Sequence, residues 1–143
     1  MRLSNDWPNR VYVDKEQYDR MHELTSKASE AEREVPFKSL KEVLMAAAML
    51  GYKMEEKDVV TERKEIIFTD YLDKTLDLPL VCCLAIADQK TVEVLNDKKK
   101  IINIFESYIK GGFDYLYDRI MSGPDRIQNY AYYLLKEHIS DSD

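Results

Sequence analysis

Cysteine is scarce in this sequence: there are two, Cys82 and Cys83, side by side in an apolar run. Neighbouring cysteines close a disulfide only by distorting the backbone, and no third thiol exists for either to pair with. That excludes a disulfide framework, and both residues are expected to be reduced, buried small hydrophobes. Histidine is equally rare. His22 and His138 have no Cys, His, Asp or Glu at a recurrent ligand spacing. Neither a metal site nor a serine or cysteine nucleophile with a histidine base is therefore expected. The four glycines fall into neither GxxxxGK nor GxGxxG, so a phosphate-cradling loop is absent and no cofactor is implied.

Long apolar runs are missing as well. The two longest without a charge, "VLMAAAMLGY" and "LPLVCCLAIA", have ten residues each, against about twenty for a membrane-spanning helix. The opening "MRLSNDWPNR" lacks the apolar stretch of a signal peptide. A soluble, cytoplasmic protein without membrane contact is expected. Basic residues are the minority sign: 21 Lys and Arg against 27 Asp and Glu leave a net charge of -6. Such a chain is a poor general polyanion binder, because bulk nucleic-acid affinity comes from neutralised phosphates. A local basic patch is still compatible with it.

What is present is a globular composition, 45% hydrophobic and 34% charged over 143 residues, enough for one domain with a real core. Residues 1–36 read as an N-terminal arm and helix, 37–139 as a helical core, and 140–143 as an acidic tail. "VYV" (11–13) is β-prone. Asp14 then fits an N-cap for a helix whose stripe is Tyr18, Met21 and Leu24. "ASEAEREVP" (28–36) is either a helical extension or a solvated linker. In "FKSLKEVLMAAAMLGYK", Ser39 and Glu42 form a capping box and Leu40, Val43, Leu44, Ala47 and Leu50 follow at helical spacing. The helix is apolar nearly all round, which places it in the core, and Gly51 is read as its left-handed stop. "EIIFTDYL" reads as a short strand or a helical turn. Asp77 is taken as the cap of the second apolar helix, "LPLVCCLAIADQK", with Pro79 in its first turn. The two apolar helices are natural packing partners.

Further on, Asn96 or Asp97 caps "KKKIINIFESYIK", Gly111-Gly112 stop it, and "FDYLYDRIMS" resumes. Gly123-Pro124 precede a last helix carrying Ile127, Tyr130, Ala131, Leu134 and Leu135. The fold class is therefore all-α: a bundle of about six short helices, with one short β-prone segment at 11–13 or 65–72.

Four groups of residues invite a functional reading. Asp70, Asp73 and Asp77 would share a helix face and could hold Mg²⁺, but the intervening Lys74 and the turn-like Leu-Asp-Leu-Pro favour a solvated rim. Lys98, Lys99 and Lys100, with Lys90 and Lys110 nearby, form the one basic cluster, set against three acids between residues 90 and 110. Such a run is ordinarily a solvated face, and otherwise a contact for a phosphate backbone or an acidic partner. Ala47 and Gly51 also have the spacing of a helix-turn-helix. The recognition helix would then be "EEKDVVTERK", whose leading glutamates repel phosphate. Finally, ten tyrosines exceed the needs of a core this size. Tyr130, Tyr132 and Tyr133 cannot share one helix face, which makes Tyr132 and Tyr133 candidate partner contacts.

The succession "PFKSLKEVLMAAAMLGYK", "EIIFTDYL", "LPLVCCLAIAD" and "FESYIKGGFDYLYDRI", spanning about residues 37–137, resembles the fourth protein associated with DNA phosphorothioation (Dnd) systems. The resemblance implies a prokaryotic accessory protein tied to sulfur-modified DNA and to the restriction or phage-defence machinery that reads it. It carries no catalytic residue. The expected function is a non-enzymatic interaction subunit that docks on a larger protein of such a system, with DNA contact through the Lys98–Lys100 patch, or a regulatory role there, as the alternative.

Overall fold

The computed structural model describes residues 7–25 and 37–122. In chain order these form strand β1 (Arg10–Asp14), helices α1 (Lys15–Glu23) and α2 (Leu40–Lys53), strand β2 (Arg63–Phe68), and helices α3 (Asp77–Gln89) and α4 (Lys98–Met121). Short 3-10 turns lie at Thr69–Tyr71 and Val92–Asn96. Helix dominates, as expected, but the described residues hold four α-helices rather than about six, and the two β-prone segments are not alternatives. They pair with each other as a two-stranded antiparallel sheet, Val11 opposite Ile67 and Asp14 opposite Arg63, with a bulge beside Val11 and Tyr12. The expectations for 28–36, for the segment after Gly123 including Tyr132, Tyr133 and His138, and for the acidic tail lie outside the described residues.

Local capping follows the sequence closely in three places. Asp14 accepts the Glu16 amide at 3.2 Å to start α1. Ser39 accepts the Glu42 amide at 3.4 Å, while the Glu42 carboxylate reaches back to the Lys38 amide at 2.7 Å. Asp97, rather than Asn96, caps α4 through the Lys100 amide. At α3 the expectation fails. Asp77 is the first helical residue, preceded by Leu76 with no side-chain cap. Its buried carboxylate instead accepts the Asp73 amide at 2.8 Å and pairs with Lys41 at 2.9 Å.

Gly51, Gly111 and Gly112 do not stop helices, and Gly123 lies outside the described residues. No described glycine has a positive φ, α2 continues past Gly51 to Lys53, and α4 runs unbroken through Gly111 and Gly112. They serve close approach instead. A Cβ on Gly112 would lie 2.1 Å from the Ala47 carbonyl oxygen, and one on Gly51 would lie 2.3 Å from that of Tyr108. Backbone therefore meets backbone where α2 crosses α4, the most extensive contact between elements. The left-handed residue ending α2 is Glu55, at φ 57°. The Glu56 amide donates to Gly51 O and the Glu55 amide to Tyr52 O, the two bonds of a Schellman stop.

The core that results holds Val43, Leu44, Ala47 and Ala48 of α2 against Phe105, Ile109, Phe113 and Leu116 of α4, all at most 1% exposed. The expectation that the two apolar helices embrace each other is corrected here: α3 packs chiefly on α4 and the turn before it, and only lightly on α2. Val81, Leu84 and Ala85 of α3 are buried, whereas Cys82 is half-buried and Cys83 exposed. Adjacent helical residues point about 100° apart, so two neighbouring cysteines cannot both face one core. Alkylation mapped by mass spectrometry is expected to label Cys83 first, since burial pushes the Cys82 thiol up. Equal labelling would contradict this placement. The helix-turn-helix is also excluded, because residues 54–62 contain no helix and 63–68 are strand.

Candidate nucleic-acid interface

Alternation along β1 sends Val11 and Val13 into the core and leaves Arg10 and Tyr12 on the other face. Antiparallel pairing then sets β2 alongside. The Arg63 guanidinium stacks over the Tyr12 ring at 4.4 Å, and Arg10 lies over Phe68 at 4.5 Å while pairing with Glu65. On α4, Lys99, Ile102, Asn103 and Glu106 follow one another at i, i+3, i+4 and i+7, a single stripe. Sheet face and helix stripe enclose a cleft of about 360 Å³, completed by Trp7 and Pro8. Lys98, the first residue of the helix, reaches over the Trp7 ring at 5.0 Å. Each of these stacked cations sits at a distance where an aromatic face attracts it.

The floor of the cleft carries one buried charge. Glu106 is 2% exposed; its Oε2 accepts the Tyr12 amide at 2.7 Å, and its Oε1 meets the Arg63 guanidinium at 3.4 Å. Burial pushes the Glu106 pKa up, and the Tyr12 amide and Arg63 charge offset that only in part.

The sequence-derived candidates are thus redistributed. Lys99 lines this cleft, Lys98 reaches the Trp7 ring that helps to line it, and Lys100 is exposed at the start of α4 and does not line it. Lys110 lies eleven residues beyond Lys99, roughly 16 Å along the helix at 1.5 Å per residue. There it bridges Asp14 at 3.0 Å and Asp58 at 3.5 Å and donates to Val59 O, in a separate, mainly acidic hollow. Tyr132 and Tyr133 lie outside the described residues. Arg10, Arg63 and Trp7 had no signal in the sequence, because they are isolated residues that only strand pairing brings to the lysines. Asp70, Asp73 and Asp77 do not converge: Asp73 holds Thr75 through its amide and hydroxyl at 2.6 Å, Asp77 holds Lys41, and Asp70 is exposed. Among the described residues no group of three His, Cys, Asp or Glu could hold a metal ion. Nor is any helix there long and apolar enough to cross a membrane.

Fold and cleft together define a small, mainly helical protein with a cleft lined by cations and aromatic rings. The family model for DNA sulphur modification system-associated protein 4 matches residues 10–143, and the chain belongs to that family. No curated protein and no solved structure matches it.

Proposed function

We propose that this protein is a non-enzymatic accessory subunit of a prokaryotic DNA sulphur modification system, acting in the cytoplasm on the restriction or phage-defence side, and that it touches nucleic acid through the Arg10–Arg63–Lys99 cleft. One observation carries this reading. Three cations from three chain-distant elements, with a fourth stacked on Trp7, gather on one aromatic-lined hollow of a protein whose net charge is -6. Guanidinium groups suit phosphate because they offer paired donors in a fixed plane.

Fluorescence anisotropy with labelled DNA tests it. If about three phosphates are neutralised on a duplex, affinity should fall roughly 40-fold between 50 and 200 mM salt. Lys99→Glu should weaken binding about tenfold and flatten the salt slope by about one. Binding that ignores both salt and Lys99→Glu would remove the reading.

A second reading, docking on a larger protein of the system, is favoured by the outer face of α3. Leu80 and Cys83 are exposed there, next to Leu76 at 61%, an apolar surface without charge that a partner could cover. Loss of co-purification of a system component on Leu80→Glu would support it, and unchanged co-purification would count against it.

A further inference from the structure

We infer that the cleft takes a single unpaired nucleotide with an amino-bearing base, rather than the side of a duplex. The inference rests on the nucleic-acid reading above and goes further in naming the strand form and the base chemistry. Its first support is shape. Duplex grooves are read by elements that protrude into them, a helix or a β-ribbon, and a hollow offers nothing to insert. At about 360 Å³ the cleft falls within the ~300–1,000 Å³ of small-ligand sites. Proteins that hold unpaired bases do so with rings to stack against and cations along the backbone. Trp7 and Tyr12 supply rings here, and Arg10, Arg63 and Lys99 line the same hollow.

The second support is Glu106. A buried carboxylate has room for about four hydrogen bonds. Oε2 takes one good bond from the Tyr12 amide, but Oε1 has only the Arg63 contact at 3.4 Å, well beyond the ~2.7–2.9 Å of a strong charge-assisted bond. Arg63 is itself 46% exposed and stacked on Tyr12, so it is held at the mouth rather than on the floor. An acceptor left short of donors at the bottom of a cationic hollow matches a ligand that is anionic at one end and a donor at the other. A nucleotide bearing an exocyclic amine has both, and glutamate accepts from the cytosine amine in base recognition. Thymine lacks that amine.

The chain's single tryptophan, Trp7, provides the readout. Intrinsic fluorescence is titrated at low salt with a twelve-residue oligo-deoxycytidine, an oligo-deoxythymidine of the same length, and a twelve-base-pair duplex. The deoxycytidine strand is expected to quench Trp7 and to bind at least tenfold tighter than the duplex and fivefold tighter than the deoxythymidine strand. Glu106→Gln should erase the preference between the two single strands. Should that variant fail to fold, Asn103→Phe, at an exposed position of the cleft wall, should weaken the deoxycytidine strand at least fivefold, and an unchanged affinity would overturn the inference. A duplex bound as tightly as the strands, or two strands bound alike, overturns the inference while the nucleic-acid reading stands. Failure of all three probes to bind overturns both.

Discussion

Gly112→Ala is expected to lower the stability of this protein by roughly 3 kcal/mol, or to prevent folding, although alanine is the better helix former by about 1 kcal/mol. The new methyl would lie 2.1 Å from Ala47 O and 2.5 Å from Gly51 N, both backbone atoms of the facing helix. Neither can rotate away, so α2 and α4 must separate and loosen Leu44, Phe105 and Ile109 along their shared seam. Overpacking of this kind commonly costs about 1–3 kcal/mol, and more where the neighbour is rigid. Gly111→Ala is expected to be costly as well: its methyl would meet Glu56 O at 2.0 Å, and that backbone is held by the Glu56 amide on Gly51 O and the Asp58 amide on Ser107 O. Urea denaturation followed by helical circular dichroism measures both. A Gly112→Ala variant as stable as the parent would mean that the helices do not cross as described.

Lys110→Met is expected to cost about 2 kcal/mol at neutral pH, below the range for breaking a fully buried pair because the lysine side chain is 19% exposed. Its ammonium faces Asp14, whose side chain is 7% exposed and also caps α1 and accepts from Thr61. Burial works to raise the Asp14 pKa, but the Lys110 hydrogen bond and charge and the Glu16 and Thr61 amides outweigh it and hold it below the usual carboxylate value. A carboxyl depressed in the folded state stabilises fully above its unfolded pKa, and that contribution fades as pH falls through the folded one. The parent should therefore lose stability below about pH 4. The deficit of Lys110→Met should be largest at pH 7 and shrink toward pH 3, where a protonated Asp14 no longer needs a cation. Urea midpoints at the two pH values decide it; a deficit that is the same at both would show that the lysine acts through packing alone.

Those two results also mark where the sequence was readable. The Ser39–Glu42 box and the Asp14 cap were legible because a cap joins residues within one turn. Gly51, Gly111 and Gly112 are ambiguous in the sequence, because a glycine needed for positive φ and one needed for close approach look identical there. The left-handed positions fell to Glu55 and Lys90, which carry no such signal. Apolarity all round α3 gave its helix but not its buried side, so Cys83 was placed inside. In the cleft, only contiguous residues could be seen. Lys98 and Lys99 stand out as a run, whereas Arg10 and Arg63 reach the cleft from opposite ends of a strand pair whose register includes a bulge.

That small sheet has a further consequence, for behaviour at high concentration. On β1 the Tyr12 amide is already occupied by Glu106, and α4 packs along the strand. On β2 a would-be neighbour meets exposed Arg63, Lys64 and Glu65, charges of the kind that discourage strand addition. Self-assembly by edge-to-edge pairing is thereby disfavoured on both flanks, and concentrated solutions should not convert to cross-β aggregates while the helix holds its place.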